Sequence, residues 1–432
     1  YNKMSIADFR KTYPAFPLDG LMKAKGINEK YYQHLVLGQP KFMAGLNAIL
    51  KDINVDDLRA KLEWDAINEA SDVLGDAVAA EAFDFGGRVM SGRQVDYPRW
   101  RKATSLVQVI LGEPLGKIYC ERFFPASSKA RMLQLVKNLQ KALGERIEEQ
   151  AWMTPATKKV AREKLDAFYI RVGYPDKWRD YSKLTIDPAK SLYDNVAAAT
   201  YVETLRNLEK FGKPVDKSEW GMTPQTVNAY YNPTTNEICF PAAILQAPFF
   251  DVNADDATNY GAIGVVIGHE MTHGFDDQGR NFNADGNMVD WWTAGDSKRF
   301  TAAAEKLAAQ FDQITVVGDL KANGHLTLGE NIADQGGLRI SYDAFKTTQQ
   351  FQEGKGIDGF TPAQRFYLSY GRIWAEHMTE EAIYQQTKSD PHSIGRNRVN
   401  ATLRNIDTWY DAFGVKEGDK MWLAPAERAI VW

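Results

Sequence analysis

The chain has 432 residues, 44% of them hydrophobic and 12% aromatic, so it can bury a large core, and its length favours two or three domains. Its 52 basic and 56 acidic side chains give a net charge of -4, which argues against a nucleic-acid or anionic-membrane partner. No apolar run approaches the roughly 18 residues of a membrane span, and no charged-then-apolar leader opens the sequence.

Helical patterns dominate after the proline-interrupted segment 1–53. Residues 127–153 carry an apolar stripe at spacings of three and four, which predicts a helix buried along one face. The stripe consists of Met132, Leu135, Val136, Leu139, Leu143 and Ile147. Thr154 and Pro155 then predict the capped start of another helix, which we expect to end near Gly173.

Two short segments have the pattern of β-strands, residues 227–231 and 237–240, and a polar turn joins them. If the first strand lies at a sheet edge beside a metal centre, its free backbone groups can pair with an extended peptide. A plain surface hairpin is the alternative interpretation.

The segment from Ala262 to Phe275 is long and apolar enough for a buried helix, and it contains His-Glu-Met-Thr-His at residues 269–273. Residues four apart share one helical face, so His269 and His273 can bind the same metal ion. Glu270 lies on the flank of that face, where it can take a proton from a water that the metal activates. A histidine pair satisfied by hydrogen bonds in a core is the alternative, but the pattern favours a zinc peptidase site.

A catalytic zinc needs a third protein ligand and an open position, and Glu330 is the best candidate. Glu330 and Asp334 are four residues apart, so they would share a helical face. One carboxylate can bind the metal while the other accepts the free ring N–H of a ligand histidine. An exposed acidic pair is the alternative, although the apolar neighbours Ile332, Ala333 and Leu338 would make unpaired carboxylates costly.

These motifs resemble those of the neprilysin-like family of zinc metallopeptidases, which includes neprilysin and the endothelin-converting enzymes. The strongest similarity lies in residues 227–231, 240–250, 266–277, 329–334 and 431–432. Weaker similarity at residues 152–153, 157–159 and 173–176 extends the resemblance over most of the chain.

The resemblance implies one Zn²⁺ per chain, bound by His269, His273 and Glu330. It assigns the general base to Glu270 and the orientation of a ligand histidine to Asp334, in agreement with the reading of the residues themselves.

The resemblance also implies roles that spacing alone does not indicate. Asn228 and Ala229 would bind the substrate backbone. His392 would stabilise the oxyanion, because a positioned donor lowers the energy of a tetrahedral intermediate. Arg398 would hold the substrate carbonyl that follows the cleaved bond, using its fixed charged donors. Read without the family, His392 is a solvated loop histidine and Arg398 a surface arginine.

By the same similarity, an apolar pocket would receive the side chain that follows the cut. Burying a Phe or Leu there would contribute about 2 kcal/mol, so we expect cleavage before large hydrophobic residues. Each pocket residue has the alternative interpretation of an ordinary core residue. The expected lining consists of Ile244, Phe249, Val265, Val266, Ile373 and Trp374.

The chain also departs from the animal members of the family, which are rich in disulfides. It has only Cys120 and Cys239, and Ala429 occupies a position where those members have a cysteine, so we expect a bacterial-type member and a buried Cys239. The resemblance covers the C-terminal part of the full-length family proteins. We therefore expect an N-terminal fragment of the same precursor, either as a second chain or as a region outside this one, and an exported, periplasmic or extracellular protein.

The sequence thus predicts a mainly α fold with a small mixed β-sheet. A zincin-type, thermolysin-like catalytic domain would span residues 151–432, and residues 1–150 would form helical lid and linker segments. The predicted function is that of a zinc-dependent endopeptidase cutting on the N-terminal side of large hydrophobic residues. A catalytically silent, peptide-binding family member and a metalloenzyme that is not a peptidase are the alternatives.

Overall fold

The computed structural model describes residues 1–432, and most of the chain is helical. The helices are α1 (Ile6–Thr12), α2 (Leu18–Ala24), α3 (Pro40–Asp52), α4 (Val55–Glu69), α5 (Ser71–Leu74), α6 (Asp76–Ala82), α7 (Arg99–Ile110), α8 (Gly112–Phe123), α9 (Ala126–Glu149), α10 (Pro155–Asp166), α11 (Leu192–Leu208), α12 (Asp256–Asn259), α13 (Val265–His273), α14 (Ala294–Asp312), α15 (Leu328–Lys346), α16 (Gln349–Glu353), α17 (Pro362–Ile373), α18 (Glu380–Ser389), α19 (Gly395–Leu403) and α20 (Asp407–Phe413). The strands are β1 (Lys3–Ser5), β2 (His34–Val36), β3 (Tyr169–Gly173), β4 (Tyr230–Asn232), β5 (Glu237–Pro241), β6 (Thr315–Val317) and β7 (Leu320–Lys321). None of these helices is both long enough and apolar enough for a membrane crossing.

Contacts divide the chain into two compact units. The first comprises residues 1–89, 94–110 and 179–217, and the second comprises residues 90–93, 111–178 and 218–432. The domain boundary that the sequence predicts at residue 150 stays a prediction.

The first unit has a small apolar core beside the antiparallel pair β1–β2. The members of this core are Ile6, Phe9, Tyr13, Leu18 and Tyr32. Helices α3, α4, α6 and α7 bury no residue fully, so their apolar side chains lie at the surface of this unit or are only partly covered.

The second unit contains the large core, and α9 contributes its apolar stripe to it. Met132, Val136, Leu139, Leu143 and Ile147 are buried, and Leu135 is partly buried. The sequence-based prediction of this helix is therefore confirmed.

The segment after α9 corrects two predictions. Helix α10 begins at Pro155 as expected, but it ends at Asp166, and Tyr169–Gly173 forms strand β3 instead of a continuing helix. The hydroxyl of Thr154 does not cap α10 and donates to the buried carboxylate of Asp296. Pairing with β5 decides the conformation of residues 169–173, because tertiary contacts override the weak local preference of so short a segment.

The sheet beside the predicted metal helix has the order β3-β5-β4. Strand β3 runs parallel to β5, while β4 pairs with β5 antiparallel and lies at the edge. The predicted mixed sheet and edge hairpin are confirmed, although the first strand begins at Tyr230, not at Val227. Cys239 is buried in β5, and both cysteines are free thiols.

Helices α13 and α15 cross at unusually short range because glycines lie at the contact. A Cβ added to Gly268 would come within 2.9 Å of the Gly337 backbone, and one added to Gly337 would come within 2.7 Å of the His269 nitrogen. Only residues without a side chain permit this approach. The crossing brings the histidine motif of α13 beside the carboxylates of α15.

Candidate metal centre and active site

His269 and His273 lie one turn apart on α13, with their Nε2 atoms 3.0 Å from each other. Their Nδ1 atoms point away from this contact, toward carboxylates. His269 Nδ1 donates to Asp334 Oδ1 at 2.9 Å, and His273 Nδ1 donates to Asp276 Oδ2 at 2.6 Å. These bonds fix both rings so that each presents Nε2 to the same point.

Glu330 approaches that point from the first turn of α15. Its Oε2 lies 3.2 Å from His269 Nε2, and its Oε1 lies 3.6 Å from His273 Nε2. In a tetrahedral zinc site with ligand bonds of about 2.0–2.2 Å, neighbouring ligand atoms lie about 3.3 Å apart. The three side chains therefore have the spacing of three corners of such a site, with the fourth corner left for water or substrate.

The Glu330 carboxylate supplies an independent sign that this cluster holds a cation. Its Oε2 is buried and accepts no hydrogen bond, and a buried carboxylate oxygen without a partner is costly. Two imidazole nitrogens and one carboxylate oxygen are a donor set that zinc accepts. The residues present therefore fit the metal that the sequence pattern predicts.

The pKa values of these ligands reflect how tightly they are packed together. Burial alone would lower the pKa of His269, but its hydrogen bond to Asp334 and the neighbouring Glu330 carboxylate raise that pKa to about 10. Burial alone would raise the pKa of Glu330, but His269, His273 and His392 hold it well below its usual range. The site therefore stabilises positive charge among its carboxylates, as a cation site must.

Glu270 lies beside the ligands and is buried. Its burial raises the pKa of its carboxyl group above the usual value, against the opposing effect of the two histidines. A raised pKa brings a carboxylate closer to the range in which it can both accept and return a proton. This is the environment expected for a general base.

Asp334 connects His269 to Arg398. The guanidinium of Arg398 donates to Asp334 from Nε at 2.8 Å and from Nη2 at 2.7 Å, and it lies 3.7 Å from the ring centre of Trp374. Burial would raise the pKa of Asp334, but Arg398 and His269 together lower it. Arg398 is thus held rigidly at the edge of the cavity, with donors that these bonds do not use.

His392 reaches the metal cluster from the loop before α19. Its Nε2 lies 3.4 Å from Glu330 Oε1, and its Nδ1 donates to Asp390 Oδ1 at 2.7 Å. The next residue, Ser393, donates to Asn331 on α15 at 2.9 Å, which ties the loop to the helix that carries Glu330. The imidazole remains about half exposed, at 47% of its side-chain surface.

Two positioning carboxylates escaped the sequence analysis, Asp276 behind His273 and Asp390 behind His392. Each is close in sequence to the histidine that it holds, three residues after it in one case and two before it in the other. An acidic residue at such a distance from a functional histidine is the signal that could have identified both.

A cavity of about 480 Å³ opens over the metal cluster, entirely within the second unit. Five of the six expected apolar pocket residues line it, whereas Ile373 does not and packs against the core. Asn228 and Ala229 also line the cavity, just before the edge strand β4. The expected residues at the wall are Asn228, Ala229, Ile244, Phe249, Val265, Val266, His269, Glu270, His273, Glu330, Asp334, Trp374, His392 and Arg398.

The chain is also similar to known proteins of one family. Two family models with the description Peptidase family M13 match residues 228–429 and 1–175. A neutral endopeptidase of Lactobacillus helveticus is 33% identical over all of this chain and 65% of its own length. Human endothelin-converting enzyme 1 is 32% identical over all of this chain and 57% of its own length.

Solved structures show the same similarity. The zinc metalloprotease Zmp1 of Mycobacterium tuberculosis, in complex with an inhibitor, has 42% identity and a TM-score of 0.95 over 100% of this chain and 66% of that one. PepO of Lactobacillus rhamnosis has 27% identity and a TM-score of 0.88, again over 66% of that chain. The zincin-type fold expected from the sequence is confirmed by these likenesses. The chain spans 57% and 65% of the length of the two curated relatives named above.

Proposed function

The chain belongs to peptidase family M13, and we propose that the protein is a zinc-dependent endopeptidase that cuts peptides before large hydrophobic residues. The observation that carries this proposal is the convergence of His269, His273 and Glu330 on one point, with Glu270 beside it and a cavity open above it.

The proposed reaction is hydrolysis by an activated water. A zinc ion bound by the three ligands would supply Lewis acidity toward the scissile carbonyl and the attacking water. Glu270 takes a proton from that water during attack and returns it to the leaving amine, so one carboxylate serves both steps. Its buried position and raised pKa support this role.

His392 and Arg398 are proposed to hold the reacting carbonyl and its neighbour. His392 donates to the oxyanion, and Asp390 keeps its ring oriented for that bond. Arg398 donates to the carbonyl that follows the cut. Its bonds to Asp334 preorganise the guanidinium, so little side-chain entropy remains to be lost when substrate binds.

The substrate is proposed to bind as an added strand along β4. Strand β4 is the edge of its sheet, and Asn228 and Ala229 precede it at the cavity wall. Backbone pairing at an edge holds peptides of many sequences, because it uses no side chain of the ligand. Ile244, Phe249, Val265 and Val266 then select a large apolar side chain after the cut, by about 2 kcal/mol.

A peptide panel tests this function. The zinc-loaded protein is given fluorogenic peptides that differ only in the residue after the expected cut, which is Phe, Leu, Ala or Asp. We expect cleavage of the Phe and Leu peptides, loss of cleavage with a chelator, and recovery when zinc is added back. Cleavage unaffected by the chelator would exclude the metal mechanism, and equal cleavage of all four peptides would exclude the pocket.

A catalytically silent, peptide-binding protein is the second candidate. It would bind the same panel without cleaving it, and no residue of the site favours it, because each position that the chemistry needs carries a suitable side chain. Export from the cytoplasm and a second chain from the same precursor are further proposals from the family resemblance. Cell fractionation tests the first, and intact mass spectrometry of the protein purified from its source tests the second.

A further inference from the structure

Lys164 is a fully buried lysine that the proposed reaction does not use. It lies on α10, and its side chain has no exposed surface. Its Nζ donates to three backbone carbonyls, those of Gly274 at 2.6 Å, Gly279 at 2.7 Å and Phe282 at 2.8 Å. An ammonium group has three donors and no acceptor, so these three carbonyls satisfy it completely.

The three carbonyls belong to one segment, residues 274–282, which follows the metal helix α13 directly. Asp276 lies inside this segment and holds His273 Nδ1 at 2.6 Å. The other oxygen of Asp276 accepts the backbone N–H groups of Gln278 and Gly279, at 2.9 and 2.6 Å. The segment therefore folds around Asp276 on one side and around the Lys164 ammonium on the other.

Aromatic side chains surround the Lys164 ammonium. The rings of Phe275, Tyr231 and Trp291 lie 5.5, 5.7 and 6.0 Å from Nζ, so the ammonium is enclosed by aromatic faces. Burial lowers the pKa of Lys164 to about 7, and the nearby charge of Asp276 opposes that shift. Without the ammonium, the carbonyl of Gly274 would lose this donor, the carbonyl of Gly279 would keep only the Phe282 N–H, and the carbonyl of Phe282 would keep only the indole N–H of Trp291. The segment would have to move to replace the lost bonds.

We propose that Lys164 is a positioning residue for the metal centre, fixing the segment 274–282 so that Asp276 orients His273 toward the cation. This inference rests on the proposed zinc site. Lys164 acts through the segment and through Asp276, and it contacts neither the ligands nor the substrate.

The test measures zinc affinity by competition with a chromophoric chelator, independently of catalysis. Lys164→Met keeps the length and apolar stem of the side chain but removes the three donors. We expect it to weaken zinc binding 10- to 100-fold, the range typical of partners that orient ligands. Asp276→Asn should have a similar effect. The double variant should be little worse than either single one, because both changes release the same histidine.

Two variants control for general loss of stability. Thr157→Val removes a buried hydrogen bond on the same helix, the one from Thr157 to Asp296 at 2.6 Å. Asn236→Gly removes the bond from Asn236 Nδ2 to the Lys164 carbonyl at 3.1 Å and the bond that Asn236 Oδ1 accepts from the Tyr231 hydroxyl at 3.0 Å, and glycine suits the positive φ of 52° at that position. Both should lower the melting temperature and leave zinc affinity within about twofold of the parent protein.

The possible results distinguish a failure of the proposed zinc function from a failure of the proposed role of Lys164. If the parent protein binds no zinc, the proposed function itself is wrong. If the parent binds zinc and Lys164→Met binds it equally well, Lys164 is structural only and this inference is wrong. Should Lys164→Met fail to fold, Lys164→Gln retains two donors, and its zinc affinity should lie between those of the parent and Asp276→Asn. An affinity equal to that of the parent would overturn the inference.

Discussion

The cavity has two parts that are built differently. The metal half contains His269, Glu270, His273, Glu330 and Asp334, and the peptide half contains Asn228, His392, Arg398 and the apolar wall. In the metal half, His269, Glu270 and Asp334 are buried, and each ligand histidine is held by a carboxylate. In the peptide half, Asn228 is exposed and the His392 side chain is 47% exposed. The protein thus holds its candidate metal ligands in place itself, whereas in the peptide half only Arg398 and the apolar wall are fixed and Asn228 and His392 stay open to solvent. Changes in the first half should affect chemistry and metal, and changes in the second should affect substrate binding.

The largest expected effect is a loss of turnover without a loss of zinc, caused by a change at Glu270 in the metal half. Glu270→Gln keeps the shape of the side chain but cannot accept a proton, so we expect kcat to fall on the order of 10³-fold. Zinc content, measured by elemental analysis, should stay at one per chain because Glu270 is not a ligand. Turnover near that of the parent protein would show that another group is the base.

The second prediction concerns the apolar wall of the cavity. Phe249→Lys places a charge where the pocket is expected to receive a large apolar side chain. The preference for Phe over Ala after the cut, taken as a ratio of kcat/KM values, should fall from about 30-fold to near unity. Val252→Lys changes an exposed apolar residue outside the cavity lining and should leave the ratio unchanged. An unaltered cleavage pattern in Phe249→Lys would refute the pocket assignment.

A smaller effect is expected where the peptide half meets water. Asn228→Ala removes the proposed side-chain bonds to the substrate backbone, and one such bond is worth about 0.5–1.5 kcal/mol. We therefore expect KM to rise roughly three- to tenfold, with kcat and zinc content nearly constant. A large fall in kcat with unchanged KM would place Asn228 in the chemistry instead.

The smallest expected effect concerns Asp296, a buried carboxylate whose pKa shifts in the direction opposite to that of Glu270. Burial would raise the pKa of Asp296, but the hydroxyls of Thr154, Thr157 and Thr293 hold it well below its usual value, whereas that of Glu270 is raised. Because the folded protein favours the charged carboxylate, Asp296 stabilises the fold at pH values above about 4, the ordinary pKa of an aspartate. This stabilisation is lost as the pH falls toward the lower pKa that Asp296 has in the folded protein.

Melting temperatures from neutral to acid pH test this difference in the metal-free protein. The deficit of Asp296→Asn relative to the parent should be largest near neutrality and should shrink below about pH 4, since the parent then loses the same contribution. A deficit that is constant with pH would mean that the charge of Asp296 does not stabilise the fold.

The difference between the metal half and the peptide half also explains which residues the sequence could predict. The spacing of His269 with His273, and of Glu330 with Asp334, follows from the geometry of a single helix, and a metal needs those residue types, so local rules identified the candidates. The crossing of α13 and α15 that brings the two pairs together did not follow from local rules. Helix α9 was predictable for a similar reason, because its stripe repeats over many turns. Strand β3 was missed because its conformation depends on β5, some 70 residues later in the chain.

The peptide half depended on the family resemblance. His392 and Arg398 come from a distant part of the chain, and only tertiary packing brings them to Glu330 and Asp334. No local pattern distinguishes them from surface residues. Lys164 is the extreme case, since nothing in the sequence indicates that a lysine would be enclosed beneath the metal helix.

The most direct measurement of the central claim is anomalous X-ray diffraction at the zinc edge from crystals of the zinc-loaded protein. The account predicts one strong peak per chain, about 2.0–2.2 Å from His269 Nε2, His273 Nε2 and a Glu330 carboxylate oxygen. A peak elsewhere, or one that lacks any of these three ligands, would contradict it.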